Sequence, residues 1–162
     1  MAVEIERVFL LRGMPDAMPA GVALRIEQGY LPAGGGLEGR LRRVTWPDGT
    51  VEHVHTVKRG VGLVREEVER AVPADEFDRE WPRTAGRRLS KVRTKVRAGD
   101  RTWEVDRFES LPVVLAECEL PSADATLEIP PWLAPWIERE VTEEPAFRNY
   151  ELARRAGLAD PR

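Results

Sequence analysis

Carboxylates recur at every second position in short runs along this chain: Glu4 and Glu6, Glu67 and Glu69, Glu104 and Asp106, Glu117 and Glu119. Bases recur with the same spacing, as Arg40 and Arg42, then Lys91, Arg93 and Lys95, while Lys58 follows Thr56 two positions on. A period of two puts each run on one face of a β-strand. Two carboxylates ~5 Å apart repel by about 3 kcal/mol at an effective dielectric near 20, so gathered acids either hold protons or recruit a cation. Oxygen-only ligands suit Mg²⁺, Mn²⁺ or Ca²⁺. Gathered Arg and Lys groups require an anion rich in oxygens, and polyphosphate fits, because guanidinium groups bind its oxygens two at a time. A metal on one side and cationic side chains on the other would hold a phosphoryl chain and stabilise its transfer.

The elements that must position these groups are also strands. Period-two alternation and turn residues predict eight, at about 3–11, 23–31, 38–46, 51–58, 63–70, 89–98, 101–109 and 112–120. Short turns at Pro47-Asp48-Gly49, Arg59-Gly60-Val61-Gly62 and Gly99-Asp100 favour antiparallel pairing. Gly34-Gly35-Gly36 reads as a surface loop, since no helix start or GK[ST] follows to make it a phosphate cradle. Helices are expected at 73–81, where Pro73 and early acids open and Pro82 closes, and at about 143–156, with Gly157 as its stop. A short helix is expected at 130–137.

In-phase charges fit two architectures. An open sheet with one wet face would solvate them, whereas a closed barrel would line a polar tunnel with them and turn apolar residues outward, under the helices. Their segregation by sign favours the tunnel. The strands holding Glu4, Glu104 and Glu117 contribute only acids to the shared face, and those holding Arg40, Lys58 and Lys91 only bases, where an ordinary wet face mixes signs. His53 and His55 have the opposite parity to Thr56 and Lys58 and are expected outside, and the tryptophans read as packing residues.

Composition bounds the possibilities. At 162 residues, 42% hydrophobic and 33% charged, the chain reads as one globular domain spanning 1–162, with no apolar run approaching the ~20 residues of a membrane span. One cysteine, Cys118, cannot form an internal disulfide, and a reducing cytoplasm is the expected compartment. With 25 basic against 28 acidic residues there is no basic excess of the kind that marks a nucleic-acid binder.

The opening VEIERVFL, at 3–10, resembles the ExExK signature of the CYTH superfamily, the triphosphate tunnel metalloenzymes. The resemblance continues in order through IEQGYL at 26–31, RLR at 40–42, TVK at 56–58, LVREEVE at 63–69 and GRRLSKVR at 86–93. It then runs through WEVDRF at 103–108, LAECEL at 115–120 and REVTEEPAFRNYELA at 139–153. It implies an α+β fold built on an eight-stranded antiparallel barrel with flanking helices, and hydrolysis of the terminal phosphoanhydride of tripolyphosphate or an organic triphosphate with Mg²⁺ or Mn²⁺. It implies Glu4, Glu6, Glu67, Glu69, Asp106, Glu117 and Glu119 as metal ligands, with Glu104 a weaker addition. Arg40, Arg42, Lys58, Lys91 and Arg93 become the phosphate contacts, with Lys91 and Arg93 stabilising the transition state. One position departs: Val8 stands where the motif has lysine. Two alternatives therefore stay open, an adenylate cyclase of the same fold and a polyphosphate- or nucleotide-binding module without turnover.

Overall fold

The computed structural model describes residues 2–32 and 34–159. Eight strands form in the order the alternation predicts: β1 (Ala2–Leu11), β2 (Val22–Tyr30), β3 (Leu37–Thr45), β4 (Val51–Arg59), β5 (Val64–Ala71), β6 (Arg88–Ala98), β7 (Arg101–Phe108) and β8 (Val114–Glu119). A short β9 (Ile137–Glu140) and two helices, α1 (Ala74–Glu80) and α2 (Asn149–Ala159), complete the elements used below. All pairings are antiparallel, in the order β5-β4-β3-β2-β6-β7-β8-β1-β9, and pairing of β1 with β5 closes the ring. That closing seam is short. Residues 2–5 of β1 pair with β5, while residues 9–11 on the same edge pair with β9.

Because opposed residues in an antiparallel pair share a face, the register carries one parity of every strand inward. Glu6 faces Glu119, Arg93 faces Asp106, Arg40 faces Thr56, and Lys58 faces Glu67. The outer parity is apolar where something covers it. Phe9, Leu11, Trp103, Val105, Ala116 and Cys118 pack beneath Leu127, Ile129, Trp132 and Leu133 of the segment after β8. His53 lies outside with its ring 4.8 Å from that of Phe77 on α1, the opposite parity to Lys58, and Trp81 stacks on Phe77.

Three boundaries differ from the sequence reading. Pro82 does not end the first helical stretch, because a 3-10 turn over Trp81–Thr84 carries it on. The 130–137 stretch supplies one 3-10 turn, Ala134–Trp136, and then becomes β9, since Ile137–Glu140 gains backbone pairing with the free edge of β1. The last helix begins at Asn149: Pro145–Phe147 is a separate 3-10 turn, and Arg148, extended at φ −68° and ψ 142°, divides the two. Nor does Gly157 stop it. A Cβ there would lie 2.0 Å from the carbonyl oxygen of Gly86, so this glycine is what allows the helix to lie so close to the chain ahead of β6.

The docked α2 closes one end of the barrel interior. Leu152, Ala153 and Ala156 pack on the inward-facing Tyr30, Leu89, Phe108 and Leu115, with Val8 and Leu10 beside them. Among the described residues, no helix is long and apolar enough to cross a membrane.

Candidate active site

The strand order turns the run-by-run charge pattern into two contiguous arcs. Strands β4, β3, β2 and β6 adjoin one another and carry inward Lys58, Arg40, Arg42, Lys91 and Arg93; β7, β8, β1 and β5 adjoin one another and carry Glu104, Asp106, Glu117, Glu119, Glu4, Glu6, Glu67 and Glu69. Between the arcs lies a polar cavity with a free volume of about 150 Å³. Six of the seven expected metal ligands and all five expected phosphate contacts line it, as does Glu104. Lys95 does not; it lies 3.5 Å from Glu104.

Asp106 departs from its expected place. It is fully buried outside the cavity lining, and its carboxylate accepts from Arg93 twice, at 2.8 Å each, and from Lys91 at 2.8 Å. Burial alone would raise its pKa, but Arg93 and Lys91 outweigh burial and hold the carboxyl far below the usual range. This carboxylate is thus paired with two cations at the β6–β7 boundary between the arcs.

Away from that boundary the acids are short of partners. Among the described residues neither Glu6 nor Glu119 joins an ion pair. Burial, followed by Glu117 and Glu4, pushes Glu6 well above the usual carboxylate range. Burial with Glu4 and Glu104 raises Glu119, and burial raises Glu117 despite Arg93. Glu4 is the exception: burial opposes its charge, but Lys58 at 3.0 Å, with Arg40 and Arg65, keeps it below its ordinary value. Among the described residues no three acidic, His or Cys side chains are already arranged to hold a metal. A set of crowded carboxylates whose ionisation is disfavoured by its own neighbours nevertheless fits a hard divalent cation by donor chemistry and charge.

The cationic arc is strained in the complementary sense. Burial, then Arg40 and Arg93, lowers Arg42 to about 9, and burial lowers Lys91 to about 8 against the pull of Asp106. Both remain charged at neutral pH. The Nε of Arg40 is buried with no acceptor, a donor turned to nothing in the protein.

Neutral groups that the sequence reading left without a role complete the wall. Gln28, fully buried, accepts from Arg42 Nε and Nη2 at 3.2 and 3.0 Å and donates to Tyr30 Oη at 3.0 Å and Asn149 Oδ1 at 3.3 Å. Asn149 Oδ1 also accepts from Lys91 at 2.8 Å, so the first residue of α2 is fastened to the cationic arc. Their only sequence signal is inclusion in IEQGYL and FRNYELA, since a lone amide announces no chemistry. Strand three also holds an inward acid, Glu38, so its face is not purely basic.

No family model matches the chain. It is, however, 39% identical over 155 residues to an inorganic triphosphatase of Nitrosomonas europaea, an alignment covering 93% of this chain and 96% of that protein. A second inorganic triphosphatase, from Acetivibrio thermocellus, is 40% identical over 68 residues, 41% of each chain. The crystal structure of the inorganic triphosphatase NE1496 superposes with a TM-score of 0.65 at 36% identity, covering 95% of this chain and 96% of that one. A candidate adenylate cyclase from Bacillus halodurans shares the fold at a TM-score of 0.52 and 13% identity, over 83% of this chain and 98% of its own.

Proposed function

The chain belongs to the CYTH superfamily of triphosphate tunnel proteins, alongside inorganic triphosphatases, and from that premise we propose that it is a divalent-metal-dependent triphosphatase. Its substrate is inorganic tripolyphosphate or an organic triphosphate, cleaved at the terminal phosphoanhydride. The observation that carries this reading is the pair of opposed arcs around one cavity, basic on β4-β3-β2-β6 and acidic on β7-β8-β1-β5.

Arg40, Arg42 and Lys58 bind the phosphate chain, and the unpartnered Nε of Arg40 is a ready donor to it. Lys91 and Arg93 stabilise the charge that develops on the transferred group. Asp106 and Asn149 fix Lys91 in advance, which spares reorganisation at the moment of reaction. Glu4, Glu6, Glu117 and Glu119 would hold the principal cation, Mg²⁺ or Mn²⁺, with Glu67 and Glu69 available to a second. Bound there, a divalent ion would supply charge neutralisation to the phosphate oxygens. We read Asp106 as a positioning residue for Lys91 and Arg93 in place of its expected metal role. The 162 residues act as one tunnel domain on a small-molecule triphosphate, and a single free cysteine, Cys118, suits a cytoplasmic setting.

Product analysis tests the reading. Purified protein with tripolyphosphate, ATP or thiamine triphosphate, in Mg²⁺, Mn²⁺ or chelator, is expected to release orthophosphate only with metal. Cyclic AMP and pyrophosphate from ATP would make it a cyclase, and binding without turnover a silent module.

A further inference from the structure

Each arc has one residue of the wrong sign, and the two exceptions meet. Glu38 is the inward acid of β3, Arg65 the inward base of β5, and they lie 3.3 Å apart. Arg148, in the extended residue ahead of α2, donates from Nη2 to the other oxygen of Glu38. All three are largely withdrawn from solvent, with side chains 13%, 14% and 25% exposed. One carboxylate therefore serves two guanidinium groups, and imperfectly. Arg65 Nη2, although within ion-pair distance, has no hydrogen bond of acceptable geometry, and Arg148 Nε is buried without an acceptor.

Their location gives this cluster a role. Glu38, Arg65, Arg148 and Lys58 line the main cavity and also an adjoining surface groove edged by Gly34 and Gly36, so they stand where the tunnel opens to that groove. A phosphate chain longer than the cavity would pass between them. It would there meet two arginines whose charge Glu38 already offsets, and a carboxylate that repels it. Specificity is a difference of affinities, and a built-in repulsive group is one way to create it.

We propose that Glu38 is the chain-length determinant of this site: by engaging Arg65 and Arg148 at the rim, it withholds them from a fourth phosphoryl group and keeps the tunnel selective for triphosphates. This rests on the triphosphatase reading above for the identity of the ligand. Glu151 also edges the groove, but it is paired with Arg154 and lies outside the main cavity.

The test compares tripolyphosphate with tetrapolyphosphate, by calorimetric binding in chelator and by kcat/KM in Mg²⁺, for wild type, Glu38→Gln and the double variant Glu38→Gln, Arg148→Ala. Glu38→Gln is expected to raise the tetra-to-tri ratio about tenfold in both measurements, as freeing a cation for one added phosphate would do. Removing Arg148 as well should return the ratio toward wild type. A merely structural role for Glu38 would weaken both ligands equally, and a ratio left unchanged by Glu38→Gln, with wild type hydrolysing tripolyphosphate, overturns the proposal alone. Binding with the expected ratios but without hydrolysis would remove the triphosphatase reading and leave the rim assignment standing. Failure of wild type to bind either ligand would remove both.

Discussion

Arg93 and Asp106 face each other in the β6–β7 ladder and form a two-point pair, Nε to Oδ1 and Nη2 to Oδ2, at 2.8 Å each, where the acidic and basic arcs meet. Lys91 completes the cluster on the same carboxylate. Asp106→Asn would keep the shape and remove the charge, leaving Lys91 buried without its ion pair beside an Arg93 that keeps only Glu104 and Glu117. Losing one member of a buried ionic cluster costs about 3–5 kcal/mol, so denaturant midpoints should fall sharply. Turnover should fall with them, whereas apparent metal affinity, measured at a denaturant-free temperature well below melting, should hold. A loss confined to metal affinity would return Asp106 to the ligand set.

The crowded acids set an unusual pH dependence. Glu6, Glu117 and Glu119 all have pKa values raised in the folded state, by burial first. Between the ordinary carboxylate value and these raised values, the native state binds more protons than the unfolded chain, so stability falls as pH rises through that window. Asp106 acts oppositely, but its folded value is so depressed that its contribution is lost only in more acid solution. His55, lowered by burial first, opposes them within this window, but one half-buried imidazole stands against three raised acids, and the metal-free protein should melt higher at mildly acid than at neutral pH. Saturating Mg²⁺ should flatten the difference, because a cation takes over from the protons. Melting scans over pH with chelator or Mg²⁺ check this; a metal-free melting point that rises toward neutrality contradicts it.

Much of this site was legible because a strand's period is short and fixed. Glu4 and Glu6, or Arg40 and Arg42, must share a face whatever else happens, and alternation through to Glu117 and Glu119 located eight strands within a residue or two. What alternation cannot contain is adjacency. The pairings of β2 with β6, β1 with β5 and β1 with β8 join residues that lie 59–73, 59–65 and 105–113 positions apart, and these distant pairings gather like-signed strands into arcs. Asp106 was hidden in another way: its parity and its hairpin neighbour β6 were readable from the Gly99-Asp100 turn, but its full burial with both Arg93 and Lys91 on one carboxylate was not. Helix boundaries failed for a different reason. Pro145 is as suitable for opening a 3-10 turn as an α-helix, and only the docking of α2 into the barrel end decides that the helix starts at Asn149.

Opposed arcs predict separable defects. Among the described residues Glu6 has no ion pair to lose, so Glu6→Gln should leave tripolyphosphate binding in chelator nearly intact while weakening metal activation roughly 10–100-fold, the scale on which damage to a metal site is felt. Arg42→Ala should do the reverse, weakening metal-free binding of tripolyphosphate. It also removes the donor to Gln28, so melting temperature must be followed in parallel. Titrations of metal and of ligand separate the two. Indistinguishable effects of the two substitutions would mean that the arcs do not divide the work.

Val8 offers the last prediction. It lies opposite Glu117 in the β1–β8 register and lines the cavity, between Glu6 and the apolar group that receives α2. Opposed side chains in such a pair begin ~5 Å apart, so a lysine at this position would reach Glu117 first. Among the described residues Arg93 reaches Glu117 only at Oε2, at 3.3 Å, so Oε1 is left for a second cation. Two outcomes compete. If the new ammonium meets charge that grows on the transferred phosphoryl group, it lowers the barrier and kcat rises; if it satisfies Glu117 and Glu6 instead, it takes the place of metal. Lysine's long stem can lie along Val141 and Phe147, which also line the cavity, leaving its head free to reach past the carboxylates. Val8→Lys is therefore expected to raise kcat for tripolyphosphate about tenfold at saturating metal, equivalent to ~1.4 kcal/mol, with a higher metal concentration needed for half-activation. An unchanged or lower kcat at saturating Mg²⁺ and Mn²⁺ would show that the valine costs this chain no catalytic contact, and that Lys91 and Arg93 already supply the charge.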